Sequence, residues 1–294
     1  MKNFILLLSI LCGILFPYGR EYVFLIRYLL MVMLFFAFLD IKLDLNIIQK
    51  SHFIILGLIV SMALFLFVVI DKFNHDLAQS TFITAIAPTA IAAPVIISLK
   101  KKKVEYVMFS LLLNNMFIAL LIPFILPTIV GKTNLISISA ILFPVIVTIT
   151  IPFIMAKIVK SITPQIWRKL VSWKDYSFYI LVINIYLAVS DAFSYIKNEM
   201  SSNLSILLII GLISLILCVV NFSLGWFVGR KNFPEEASQS LGQKNNAFVL
   251  WISITFMNPL ATLGPVFYIL FQNIYISWEL YRHKKETVLQ KRSV

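Results

Sequence analysis

Lys244 carries an ammonium group into the middle of an apolar run, Ala237 to Met257. There the stretch Gly242-Gln243-Lys244-Asn245-Asn246 interrupts what would otherwise be a lipid-compatible helix. A charge at that depth is costly unless it is paired, solvated or deprotonated. Two chemistries fit the residue types nearby. The ammonium could act as a static brace, donating to unwound carbonyls and to Asn114, Asn115, Asn245 or Asn246. Alternatively, the lysine could trade its proton during a working cycle. A second interruption, Pro88-Thr89-Ala90-Ile91-Ala92-Ala93-Pro94, lies in an earlier apolar run. Prolines alone commonly just kink membrane helices, but irregular backbone at membrane depth must be buried in protein or line a watery cavity. Two interrupted segments at matching places in two halves of a chain point to a transporter's binding site.

The elements that must position these residues follow from composition. Hydrophobic residues make up 60% of the 294-residue chain and charged residues 13%, and mean hydropathy is +0.94. So few charges cannot cover a soluble surface, which implies an all-α polytopic membrane protein. The net charge of +12 reads as the basic excess of cytoplasmic connections rather than as a nucleic-acid footprint. Cys12 and Cys218 both fall in apolar stretches and indicate neither a disulfide framework nor a zinc site. The N-terminus, with no small-residue cleavage site and more spans directly after it, reads as a first helix rather than a signal peptide.

Ten apolar segments are expected, at 3–19, 22–40, 52–70, 77–99, 104–130, 134–157, 175–196, 203–229, 236–256 and 259–281, each near the ~20 residues a bilayer crossing requires. One set of alternate connections, with both termini, holds 19 of the 25 Lys and Arg residues; the other set holds Arg20, Lys72, Lys132 and Lys197. That asymmetry places both termini in the cytoplasm of a cell inner-membrane protein. Ten spans divide into two five-helix halves, 1–130 and 131–294. Five is odd, so the second half enters from the opposite side and any repeat is inverted. The broken segments are then the fourth of each half, which predicts two discontinuous helices crossing near mid-membrane with breaks near Ala92–Pro94 and Gly242–Asn245.

With Pro88-Thr89-Ala90-Ile91-Ala92-Ala93-Pro94, Pro123, Pro127, Ser240-Leu241-Gly242-Gln243-Lys244-Asn245, Pro265 and Gln272-Asn273 in place, the chain resembles the bile acid:sodium symporter family of ten-helix secondary transporters. The resemblance implies a panel (1–48 and 134–196) beside a core (50–130 and 203–285), with crossed broken helices 4 and 9 and alternating access for organic anions. It also implies two sodium ions near the crossing. Yet the family's ligand positions correspond here to Ala93, Pro94, Val107, Leu111, Ser240 and Lys244. Sodium requires several oxygen ligands, and this set lacks most of them and adds a cation. The implied function is a sodium-independent carrier of small organic anions with Lys244 in the cation's place, whether uncoupled or proton-coupled. The alternative is a sodium symporter whose ligands have moved. The substrate or coupling set is Lys244, Asn245, Asn246, Gln243, Asn114, Asn115, Thr89, Pro94, Ser240 and Arg27.

Arg27 lies within the second span and Asp191 near the end of the seventh. The two could pair, Arg27 could simply snorkel to the interface, or it could attract an anion at the outward mouth. The Lys100–Lys103 run reads as a topology determinant with anionic-lipid contacts, and Glu235-Glu236 as helix N-terminal charge. His52, His75 and His283 show no metal-ligand spacing, and no nucleotide-binding or catalytic motif is visible. No metal, cofactor or catalytic residue is therefore expected. The converging acids or bases of an intramembrane enzyme, and the polar stripes of a channel, are missing from the apolar runs.

Overall fold

A computed structural model of the chain describes residues 2–39, 45–131, 138–173, 176–199 and 204–292. Lys42, Lys132 and Lys174 of the orientation count, and the link after Gly131, lie outside them. The described residues form helices α1 (Lys2–Leu15), α2 (Leu25–Leu39), α3 (Lys50–Asp71), α4 (His75–Ile86), α5 (Ala93–Leu99), α6 (Val104–Val130) and α7 (Ile138–Ile162). They continue with α8 (Pro164–Ser172), α9 (Ser177–Glu199), α10 (Leu204–Gly229), α11 (Pro234–Gly242), α12 (Asn246–Phe256) and α13 (Leu263–Arg292). Apart from one isolated bridge, no strand pairing occurs among them.

Six helical stretches are long and apolar enough to cross a membrane: Lys50–Asp71, Val104–Val130, Ile138–Ile162, Ser177–Tyr195, Ser205–Gly229 and Pro259–His283. Ile5–Leu15, Leu25–Leu39 and Asn246–Phe256 are apolar but shorter. At 1.5 Å per residue the 15-residue α2 spans roughly 22 Å, short of the ~30 Å hydrocarbon core. The outer surface is built for lipid: Phe65 is 66%, Leu208 68% and Phe124 58% exposed, far more apolar surface than water tolerates in contiguous form.

Local chemistry sets the helix ends. The Asn74 side chain accepts from Leu77 N and starts α4, as an N-cap should. Gly131, at φ 71°, closes α6 in the left-handed conformation that glycine adopts without cost. Helix α1 packs on α9, and α2 on α7 and α9; elsewhere α3 packs on α4, and α10 on α11 and α13.

Both interruptions are real, but the first lies earlier than the sequence suggested. Helix α4 stops at Ile86, and Ala87–Ala92 form the break. Ala87, directly before Pro88, has ψ 127°, because a proline ring excludes the preceding residue from helical backbone. Pro94 sits in the first turn of α5, where its missing N–H is not needed. The second break, Gln243 to Asn245, matches expectation. Helix α8 lies in what the sequence presents as a connection between the expected segments 134–157 and 175–196.

Candidate functional site

The two breaks meet. Thr89 and Lys244 form an isolated antiparallel bridge, flanked by Ala90 N donating to Gln243 O (2.8 Å) and Asn245 N donating to Pro88 O (2.7 Å). Backbone groups released from two interrupted helices thus satisfy one another, as a water-poor interior requires. The Thr89 hydroxyl donates to Ser240 O at 2.5 Å and accepts from Asn114 Nδ2 at 2.8 Å. Asn115 Nδ2 donates to Thr89 O at 2.8 Å, and its Oδ1 accepts from Asn245 Nδ2 at 2.9 Å. Asn245 also caps α12 by accepting from Phe248 N.

Lys244 is 1% exposed. Its Nζ donates to Ala85 O at 3.1 Å, and its backbone N–H donates to Gln272 Oε1 at 3.0 Å. The Lys244 side chain therefore reaches a carbonyl, while the asparagines proposed as its partners bond to the Thr89 hydroxyl, to backbone carbonyls and to each other. Ala85 lies in the last turn of α4, so the cation sits at the negative end of that half-helix dipole. No carboxylate pairs with it among the described residues.

Several buried side-chain oxygens near the crossing have no hydrogen-bond partner, among them Asn114 Oδ1, Gln243 Oε1 and Asn246 Oδ1. Asn246 Nδ2 donates to Lys244 O at 3.1 Å. The Ser240 hydroxyl turns back to Glu236 O at 2.8 Å and is spent on its own helix. Pro94 offers no polar group and lies outside the break.

Beside the crossing is a cavity of about 30 Å³ lined by Leu34, Ala37 and Phe38 of α2, Ile149 of α7, Ile91 of the first break, Phe248 of α12, and Leu111, Leu112, Asn115 and Met116 of α6. Asn115 alone brings a polar side chain to its wall. Arg27 lies elsewhere on α2. Its Nε donates to Thr148 Oγ1 at 2.9 Å and an Nη to Pro144 O at 3.4 Å, with the guanidinium 5.8 Å from the Trp251 ring centroid. It does not pair with Asp191, whose partner is Arg20 at 3.8 Å. It bridges α2 and α7 to the second broken helix.

Sequence reasoning passed over Tyr268, whose hydroxyl donates to Gly242 O at 2.7 Å and accepts from Asn221 Nδ2 at 3.1 Å. A tyrosine in a long apolar run gives no signal of its own. The Lys100 run also makes internal contacts that the sequence does not signal. Lys100, 4% exposed at its side chain, pairs with Glu235 and with Glu279 at 2.8 Å, and Lys102 pairs with Glu235 at 2.8 Å. The Glu279 carboxylate also accepts from Gln239 Nε2 at 2.6 Å. Lys100, Lys102, Glu235 and Glu279 thus form an ion network tying the end of α5 to α11 and α13. Among the described residues no cluster of His, Cys, Asp and Glu could hold a metal ion. No protein-family profile matches the chain, and no curated protein matches it.

Proposed function

We propose that the chain is a secondary carrier of small organic anions, bile-acid-like or small carboxylates, related to the bile acid:sodium symporter family. On this reading ten spans form two inverted five-helix halves, with both termini cytoplasmic. Helices α1, α2, α7 and α9 rock as a panel against the remaining core. Lys244 stands where the family holds a cation, so transport does not require sodium. The observation that carries the reading is the buried Lys244 ammonium at the meeting point of two interrupted helices, 3.1 Å from Ala85 O. A cation built into the crossing supplies the charge that half-helix carbonyls otherwise draw from an ion. The cavity between α2, α7 and the crossing is apolar but only about 30 Å³, so on this reading a substrate body enters only when panel and core separate. Arg27, with no carboxylate partner among the described residues, supports an anionic group on it.

A second reading is favoured by the unpartnered Asn114 Oδ1, Gln243 Oε1 and Asn246 Oδ1. These oxygens suit a relocated sodium site and a symport mechanism. Uptake of radiolabelled bile acids, steroid sulfates and small carboxylates into proteoliposomes decides between the two. The first reading expects equal uptake in sodium and choline buffers of one ionic strength, and a saturable sodium requirement selects the second. If an imposed proton gradient drives uptake and Lys244→Arg abolishes it in a stable protein, Lys244 is the proton carrier. A chain that moves none of these anions under any gradient refutes both.

A further inference from the structure

Between Glu105 and Asp175 the sequence contains no acidic residue, while residues 157–174 hold Lys157, Lys160, Arg168, Lys169 and Lys174. Four of these flank or lie on α8, and side chains 157, 160, 168 and 169 are all exposed. Among the described residues none of the four takes part in an ion pair, in contrast to Lys100 and Lys102, whose charges are met internally by Glu235 and Glu279.

Helix α8 has the pattern of an interfacial helix. Ile166, Trp167, Leu170 and Val171 fall on one side at helical spacing, and Gln165, Arg168, Lys169 and Ser172 on the other. None of its residues is buried by protein. On its apolar side Ile166 is exposed and Trp167, Leu170 and Val171 are partly covered, next to Ile162 at 72% and Trp173 at 45% exposure. Aromatic rings hold two of the cations: Lys160 Nζ lies 5.6 Å from the Trp167 ring centroid and Lys169 Nζ 5.5 Å from that of Trp173. The Trp167 indole N–H donates to Leu39 O at 2.8 Å, fixing α8 against the end of α2.

A partly open apolar stripe backed by cations that no carboxylate among the described residues meets matches one partner in charge and in polarity, a leaflet of anionic phospholipid. We propose that α8 and the end of α7 form a binding site for anionic phospholipid headgroups, with Lys160, Arg168 and Lys169 meeting phosphate and Ile166, Leu170 and Val171 lying at the acyl boundary. Through the Trp167–Leu39 bond the same site ties α2, which lines the central cavity, to the leaflet. This site is independent of what the chain transports.

The test follows thermal unfolding of the full chain in neutral detergent on addition of dioleoylphosphatidylglycerol, dioleoylphosphatidylcholine or soluble glycerol 3-phosphate. The anionic lipid should raise Tm, and the other two should not. Neutralising the pair in Lys160→Gln/Lys169→Gln should weaken the midpoint of that effect on the order of tenfold. Lys160→Arg/Lys169→Arg should keep it, and so should Arg230→Gln/Lys231→Gln elsewhere in the chain. If the neutral pair proves too unstable to purify, the wild type still decides: its response to the anionic lipid should shrink at high salt. Three results would overturn the proposal: an unchanged midpoint in the neutral pair, an equal loss in Arg230→Gln/Lys231→Gln, or a response that salt leaves intact. A Tm rise of the same size with glycerol 3-phosphate also refutes it, since that marks a phosphate site without a lipid.

Discussion

Thr89 of the first break and Lys244 of the second pair as a single antiparallel bridge, so each interruption completes the other's backbone. Side chains hold that bridge in place. Asn114 and Asn115 approach Thr89 from α6, and Gln272 approaches Lys244 from α13.

The ammonium of Lys244 has one carbonyl partner and no counter-charge among the described residues. Removing the charge while keeping the volume should therefore cost little. We expect Lys244→Met to unfold at or above the wild-type Tm, because replacing buried charge with well-packed apolar volume is commonly neutral or stabilising. Lys244→Ala should fall below Lys244→Met by about 2–5 kcal/mol, the usual cost of emptying a buried site of that size. Thermal unfolding in detergent compares them. A methionine variant less stable than the wild type would show that the charge itself holds the crossing.

Asn115 links Thr89 O, Leu111 O and Asn245 Nδ2. Asn115→Leu leaves the Thr89 carbonyl and the Asn245 amide without their partner, at about 1–3 kcal/mol each in the interior. A drop in Tm together with faster hydrogen exchange at residues 87–92 and 243–245 is expected. Wild-type exchange there would mean that the bridge stands without its asparagines.

The Lys100 network invites a double-mutant cycle. Lys100→Met should cost about 3 kcal/mol, the low end for breaking a buried pair, since Glu279 keeps Gln239 and Glu235 keeps Lys102. Lys100→Met/Glu279→Gln should recover part of that loss, and strict additivity would show the groups to be uncoupled. Acid titration probes Glu235. Burial raises its pKa, but the bonds and charges of Lys100 and Lys102 outweigh burial and leave it lowered. Its contribution is then complete above the unfolded carboxylate value of about 4.3 and lost as pH falls through the lower folded value. In the Lys100→Met protein that acid-side loss should be smaller.

Gly242 and Gly264 mark close approaches. A Cβ on Gly242 would strike the Phe222 ring, and one on Gly264 the Thr84 hydroxyl and Ser80 O. Each alanine variant should lose about 1–3 kcal/mol through overpacking. Gly57, where nothing lies within 4 Å, should accept alanine with no loss, and equal effects at all three would remove the steric explanation.

The all-helical, membrane-compatible character was legible because it rests on composition and run length. The meeting of the two breaks was legible because helix-breaking residues and a misplaced lysine mark a cost that needs a partner. The first break was set too late: Pro88 ends a helix through its effect on Ala87, whereas Pro94 is tolerated at a helix start. Of the alternatives open for Arg27, pairing with Asp191 does not form, since Arg20 and Arg27 sit about two turns apart on the approach to the same helix and sequence cannot choose between them. The ion network around Lys100 was invisible because its acids come from residues 235 and 279, and α8 was hidden because nine residues of mixed polarity look like a loop.

A cation that belongs to the polypeptide has no reservoir. A diffusible ion occupies its site according to concentration, and its gradient can be spent as work. Lys244 occupies the crossing at unit stoichiometry whatever salt surrounds the membrane, and it cannot be dialysed away or delivered to the other side. Whatever it contributes at the crossing is thereby independent of salt, and changes only if the lysine itself gains or loses its proton.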